Sequence, residues 1–242
     1  MEYMSILCLW RLGLGTLLFL LTWASSADPH TLPEVCKTRG KAPLMTSKEM
    51  EYIVSLLNER TTFLEWGSGG STRCYVNFVG RYFSIEHDKA WHATIEQEVG
   101  GNPKLSYQLA NVESAPGGWR GTSWPGSYDQ FRSYVHAVDN FKPGGKYDVV
   151  LVDGRARVAC AAYALRHLHP ESTLLVHDFY QPRYRYLSRK YGQLFRFYDQ
   201  VHRVDSLVVL RPKPEFLDQG ANKVDIPSLY RRRVTGSRLL KS

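Results

Sequence analysis

The sequence predicts a single α/β domain, a doubly wound, mainly parallel sheet with helices on both faces. Three observations lead there. Short apolar runs near 61–66, 82–86, 105–109, 148–153 and 173–178 alternate with stretches of helical periodicity, the way parallel strands and their crossover helices read in sequence. The run Phe63-Leu64-Glu65-Trp66 passes directly into Gly67-Ser68-Gly69-Gly70-Ser71-Thr72, an apolar strand yielding to a glycine-rich turn and then a helix. Four of the strands also end in acidic or imidazole chemistry, at Glu65, Glu86, Asp153 and the pair His177-Asp178.

The elements follow in order. Residues 1–27 open with Arg11 ahead of an apolar run, Leu12 to Trp23, and close on Ala24-Ser25-Ser26-Ala27. This is the pattern of a signal peptide cleaved after Ala27. Extending the run back through Ser5 makes it long enough for a signal anchor, at a cost of about 3 kcal/mol for Arg11 in mid-bilayer. Either form sends the domain into the secretory pathway (endoplasmic reticulum or Golgi lumen, or secreted), with membrane contact only through an uncleaved N-terminal segment. No Asn-x-Ser/Thr sequon accompanies it.

Residues 28–44, polar and carrying three prolines, read as a linker. Thr46-Ser47-Lys48-Glu49 has the form of a capping box, and Met50, Ile53, Val54 and Leu57 give the helix behind it an apolar stripe. Helices are expected near 71–80, 88–99, 128–140, 157–168 and 183–191. Strands near 194–199 and 206–210 pair as a terminal hairpin, closing a domain that spans 45–211. The segment Asn111 to Ser127, rich in Gly, Pro and Trp, is long for a connection and reads as a lid or binding loop. Residues 212–242 read as a basic, loosely ordered tail.

The formal charge of +8 points to anionic surroundings, not specifically to nucleic acid. Once Cys8 leaves with the signal, Cys36, Cys74 and Cys160 permit at most one bridge. Cys74 and Cys160 fall in core-facing helices and read as buried apolar residues. No Cys/His spacing suits structural zinc.

The glycine turn with an acid 21 residues beyond Glu65 is how an open α/β sheet holds a nucleoside. Backbone lies against the ligand and a carboxylate, Glu86, meets the ribose hydroxyls. A pyrophosphate binder would carry a third glycine where Thr72 stands, which favours S-adenosylmethionine over NAD. The expected cofactor-binding set is Glu65, Gly67, Ser68, Gly69, Gly70, Ser71, Thr72 and Glu86.

The motifs at 63–72, Ser84-Ile85-Glu86-His87-Asp88, Val152-Asp153-Gly154 and Val176-His177-Asp178-Phe179 together resemble the class I S-adenosylmethionine-dependent methyltransferases over roughly 45–211. The resemblance implies a Rossmann-like sheet of seven strands with an antiparallel terminal hairpin. It matches Glu65, Gly67 and Gly69 to the acid-x-Gly-x-Gly of that family, and Glu86 to its ribose-binding acid. The layout is similar to that of small O-methyltransferases. His177 is the expected general base, oriented by Asp178 or Asp153. In the metal-dependent members an acid and an Asp-Asn pair hold a divalent ion. Here the pair is His177-Asp178, so a metal held by Asp153, His177 and Asp178 stands as the alternative.

Trp119, Trp124, Tyr180, Tyr184 and Tyr186, with Arg183 and Arg185 among them, suit a sugar ring or an anionic acceptor, so a glycan or small molecule is expected. The expected activity is therefore O-methylation of such a hydroxyl, with no nucleic-acid partner. The competing readings are a binding or scaffold protein that has lost catalysis, and an NAD-dependent oxidoreductase.

Overall fold

In this computed structural model the described residues are 32–110, 112, 128–141, 145–180 and 190–230. The strands are β1 (Thr62–Trp66), β2 (Arg81–Glu86), β3 (Leu105–Leu109), β4 (Tyr147–Val152), β5 (Leu168–Val176), β6 (Tyr198–Val204) and β7 (Leu207–Pro212). They form one seven-stranded sheet in the order β3-β2-β1-β4-β5-β7-β6. The first five are parallel, and β7 runs antiparallel to both β5 and β6. The strand order reverses between β1 and β4, and the crevice beyond their carboxyl ends is where such sheets bind ligands.

Period-two alternation sends successive residues of each central strand into two different cores. Leu64, Trp66, Val150, Val152, Leu174 and Val176 face one cluster, and Phe63, Val149, Leu151 and Leu175 face the other. Strands buried on both sides read as continuous apolar runs, as these do. Helices α1 (Ser47–Ser55), α2 (Gly70–Tyr75), α3 (Lys89–Val99), α4 (Arg132–His136) and α5 (Arg157–Ala164) are shorter than the sequence periodicity suggests, several ending in a 3₁₀ turn. The capping box before α1 forms in both directions, Glu49 N donating to Thr46 Oγ1 and Thr46 N to Glu49 Oε2.

Four expectations need correction. The linker is not a free spacer from residue 32 onward. Leu32 and Cys36 are buried in the core beside α1 and β1, and residues 40–44 lie along the glycine turn. Cys74 is not a plain apolar residue, because it forms a disulfide with Cys36 that ties this strap to α2. Cys160 remains a buried free thiol. Beyond β7 the chain does not fray at once, since Leu217, Ala221, Val224, Ile226 and Leu229 pack into the main core. The strand expected at 194–199 begins only at Tyr198, because residues Gly192–Arg196 take a 3₁₀ turn that buries Leu194. Residues 1–31, the loop tryptophans, the Tyr/Arg segment at 183–186 and the last twelve residues lie outside the described residues. Among those described, no helix is long and apolar enough to cross a membrane.

Candidate functional site

The turn after β1 and the turn after β4 touch across the switch point. Gly67 sits at φ 100°, and a Cβ there would lie 2.6 Å from both Cα and N of Gly154. Only glycine allows this backbone contact. Asp153 N and Gly154 N both donate to Trp66 O, which fixes the two turns against each other. A cleft of about 880 Å³ opens above them. Its floor is Gly67, Ser68, Gly69, Gly70 and Ser71, and its sides are Glu86, His87, Asp88 and Trp91 on one hand and Asp153, Gly154 and Arg155 on the other. The strap residues Gly40, Ala42, Pro43 and Leu44 close the end over α2.

Glu86, the last residue of β2, reaches the cleft. Its Oε2 accepts hydrogen bonds from Ser68 N and Ser68 Oγ, each at 3.0 Å, and its Oε1 accepts from His87 N and Asp88 N, each at 2.8 Å. Burial alone would push this carboxyl up, but His87 and the two backbone donors hold it below the usual carboxylate range. Tyr107 on β3 donates to Ser68 Oγ at 2.5 Å, since that hydroxyl's proton is already given to Glu86. The acid is thus ionised, aimed and braced from three elements.

Glu65 does not reach the cleft. Alternation along β1 puts it on the face of Phe63, beneath α2, where it is fully buried. It accepts hydrogen bonds from Ser71 Oγ at 2.7 Å, from Ser84 Oγ at 2.6 Å and from Thr72 Oγ1. Burial pushes its pKa up to about 7, against the opposing pull of these three hydroxyls. Glu65 and Thr72 therefore hold the glycine turn from behind, which corrects the expectation that they contact a ligand.

The same alternation decides the position of His177. It follows Val176 on β5 and points to the α1 side, where its Nε2 lies 3.5 Å from Glu49 Oε2 while its Nδ1 lies 2.8 Å from Asp153 Oδ1. Glu49 also accepts from Ser206 N, Ser206 Oγ and Leu207 N. Burial would lower the imidazole, but the Asp153 charge and the hydrogen bonds to Asp153 and Glu49 carry its pKa up to about 10. Glu49 feels the reciprocal effect: burial would raise it, and His177, Thr46 N and Ser206 bring it down to about 2. An imidazolium with both nitrogens engaged has no lone pair to offer, so His177 does not suit the general-base role expected from the sequence. Asp153 does face the cleft. Its side chain is 23% exposed, and Oδ2 takes no hydrogen bond among the described residues. Asp178 accepts from Arg157 Nη2 at 3.1 Å.

No family model and no curated protein matches the chain. Solved structures do. A methyltransferase-like protein from Silicibacter pomeroyi shares 27% identity over 74% of this chain and 94% of that one, with a TM-score of 0.56. This is the fold of the class I S-adenosylmethionine-dependent methyltransferases. Weaker likenesses include a putative methyltransferase from Streptococcus mutans in complex with SAH (6% identity, 70% of this chain, 100% of that chain, TM-score 0.46). The N-methyltransferase NodS from Bradyrhizobium japonicum stands at 10% identity, 68% of this chain, 94% of that chain and a TM-score of 0.42.

The cleft of this methyltransferase fold suits the sulfonium nucleoside on its own geometry. Gly67, Gly69 and Gly70 keep the floor low, with only the small side chains of Ser68 and Ser71 on it, and Glu86 offers an ionised carboxylate beside it. A divalent ion does not fit. Asp153, His177 and Asp178 do bring one ligand atom each within 4.8 Å of one another, but the two imidazole nitrogens are engaged by Asp153 and Glu49 and both carboxylates are paired with Arg157. Sequence reasoning missed Arg157 although a signal existed. An arginine opening the run Arg157-Val-Ala-Cys-Ala-Ala, every residue of which is buried, has to be paired. It also read Glu49 only as a cap, when one carboxylate oxygen caps and the other binds the β6–β7 turn.

The imidazolium gives stability a defined pH dependence. His177 binds its proton more tightly folded than unfolded, so its contribution is complete below its ordinary value of 6.5 and is lost as pH rises through about 10. Glu65 acts with the same sign lower down, between 4.5 and about 7. The melting temperature should fall from about pH 5 to pH 10. His177→Gln should flatten the part above about pH 6.5. A variant whose melting curve keeps the full alkaline decline would show that the imidazole is neutral in the fold.

Proposed function

We propose that the protein is an S-adenosylmethionine-dependent methyltransferase that methylates a hydroxyl of a glycan or small molecule within the secretory pathway. The observation that carries the cofactor is Glu86, ionised and braced at the edge of a low, glycine-rich floor. When bound, the sulfonium supplies an electrophilic methyl group. The chain's own residues do the rest. Asp153 Oδ2 accepts the hydrogen bond of the incoming hydroxyl and takes its proton as the new bond to carbon forms, while Oδ1 stays held by His177 and Arg157. Arg155, lining the cleft beside Gly154, supports an acceptor bearing a carboxylate or sulfate. The secretory address is supported by the Cys36–Cys74 disulfide, a bond that persists in oxidising compartments.

Incubation with methyl-labelled S-adenosylmethionine and a panel of acidic oligosaccharides, neutral oligosaccharides, phenols and proteins tests the reading. Label is expected on saccharide hydroxyls, acidic ones foremost. Label on phenols or proteins alone would remove the glycan. A chain that transfers to nothing and shows no thermal shift with S-adenosylhomocysteine would be a scaffold, because a bound ligand at 100 times its Kd adds about 2.7 kcal/mol.

A further inference from the structure

Asp153 closes β4 and Asp178 follows β5, and with His177 they converge as a divalent site would. The space between them is filled by a side chain. Arg157, 2% exposed, brings Nη2 to 3.3 Å from Asp153 Oδ1 and 3.1 Å from Asp178 Oδ2. Three further bonds go to backbone: Nε to Gly154 O at 3.0 Å, Nη2 also to Asp153 O at 2.9 Å, and Nη1 to His177 O. The guanidinium thereby joins the turns after β4 and β5, and it cannot swing aside without stranding three carbonyls.

The backbone around it is shaped for this contact. Ala156, immediately before Arg157, and Asp178, its partner, are both non-glycine residues in the left-handed region, at φ 49° and 56°. Such conformations cost free energy and persist where the surroundings enforce them, often at functional sites. The charges nearly compensate. Glu49, Asp153 and Asp178 meet Arg157 and His177, three negative groups against two positive ones, leaving one net negative charge beside the cleft.

We propose that the guanidinium of Arg157 stands in the place of a divalent ion, so that the chain's own cation charges and aims Asp153. This rests on Asp153 being the group that meets the acceptor hydroxyl. Arg157 is a positioning residue: it touches Asp153, not the reacting atoms. Because the cation is covalently part of α5, the site needs no metal from its compartment and is not emptied by chelators.

The test reads metal binding directly and needs no acceptor. Oxidised full-length protein is titrated with Mn²⁺ while the signal of free Mn²⁺ is followed by electron paramagnetic resonance. The wild type is expected to show no binding that Asp153→Asn removes. In Arg157→Gln the two carboxylates lose their cation, and Mn²⁺ affinity should rise about tenfold or more, a gain abolished by adding Asp153→Asn. Arg157→Lys, which keeps the charge, should stay close to the wild type and also shows whether the position tolerates change without unfolding. An Asp153-dependent Mn²⁺ site in the wild type overturns the proposal, as does an Arg157→Gln protein that folds by circular dichroism yet gains none. Binding of S-adenosylhomocysteine, measured alongside, fails separately if the methyltransferase reading is what is wrong.

Discussion

Glu86→Gln should weaken S-adenosylhomocysteine binding by about 10- to 150-fold, while Glu65→Gln leaves it within about threefold. The contrast follows from where alternation puts the two acids. Glu86 is ionised at the cleft wall and accepts from two backbone amides that follow it and from both the amide and hydroxyl of Ser68. A glutamine there must turn its NH₂ toward one of those donor pairs. That loses charge-assisted hydrogen bonds of about 1.5–3 kcal/mol and leaves the ribose facing a misdirected group. Glu65 is buried behind the turn, with a pKa near neutrality, and its partners are hydroxyls that can rotate to give or accept. Its neutral isostere keeps the shape and removes only a charge that burial already disfavours. Calorimetric titration of both variants settles the comparison; equal losses would mean that Glu65 contacts the ligand after all.

The second large effect concerns the Cys36–Cys74 bridge. It closes a loop with a sequence separation of 38, for which chain entropy gives about 4 kcal/mol of stabilisation. Cys36→Ala is expected to lower the unfolding free energy by about that amount in urea titrations, and a reducing agent should reproduce the loss in the wild type but not in the variant. Binding should suffer too. The strap that the bridge anchors passes so close to the turn that a Cβ on Gly70 would lie 2.3 Å from Ala42 C and Pro43 N. From the α2 side Arg73 adds a long bond to Lys41 O, 3.4 Å, and Tyr75 a weak one to Met45 Sδ, 3.6 Å. With the covalent tie gone, this wall of the cleft rests on non-covalent packing alone, and S-adenosylhomocysteine affinity should drop with stability. An unchanged melting profile under reduction would show that the bond does not form in solution.

Much of the fold was legible because the central strands are buried on both faces, and such strands announce themselves as Val/Leu/Ile runs between helical stripes. That Gly67 and Glu86 end neighbouring strands and meet at one cleft was legible too, because both stand directly after apolar runs. What could not be read was direction. A carboxylate near a strand terminus looks the same in sequence whether it points over the end, as Glu86 does, or under a helix, as Glu65 does. His177 was misread on the same ground, since its partner Glu49 lies 128 residues earlier and was already explained as a cap. The strap was hidden for a different reason. Its polar composition resembles a spacer, and only the pairing of two distant cysteines pulls it onto the domain.

Glu49 draws one more consequence from the topology. Its Oε1 is satisfied by Ser206 and Leu207, about as far along the chain as the described fold extends before its last turns. A ribosome therefore delivers the acid long before it delivers these donors, and until β7 is made the Glu49 carboxylate has its capping partner Thr46 N but nothing for Oε1 to bind. The β1–β3 half of the sheet can gather early, but Glu49, and through it the His177 imidazole, is fixed only when the final hairpin docks. The ordered cluster of Glu49, His177 and Asp153, and with it any activity the proposed function assigns to it, should therefore be the last feature to form during biosynthesis and the first to loosen when the C-terminal hairpin is peeled away.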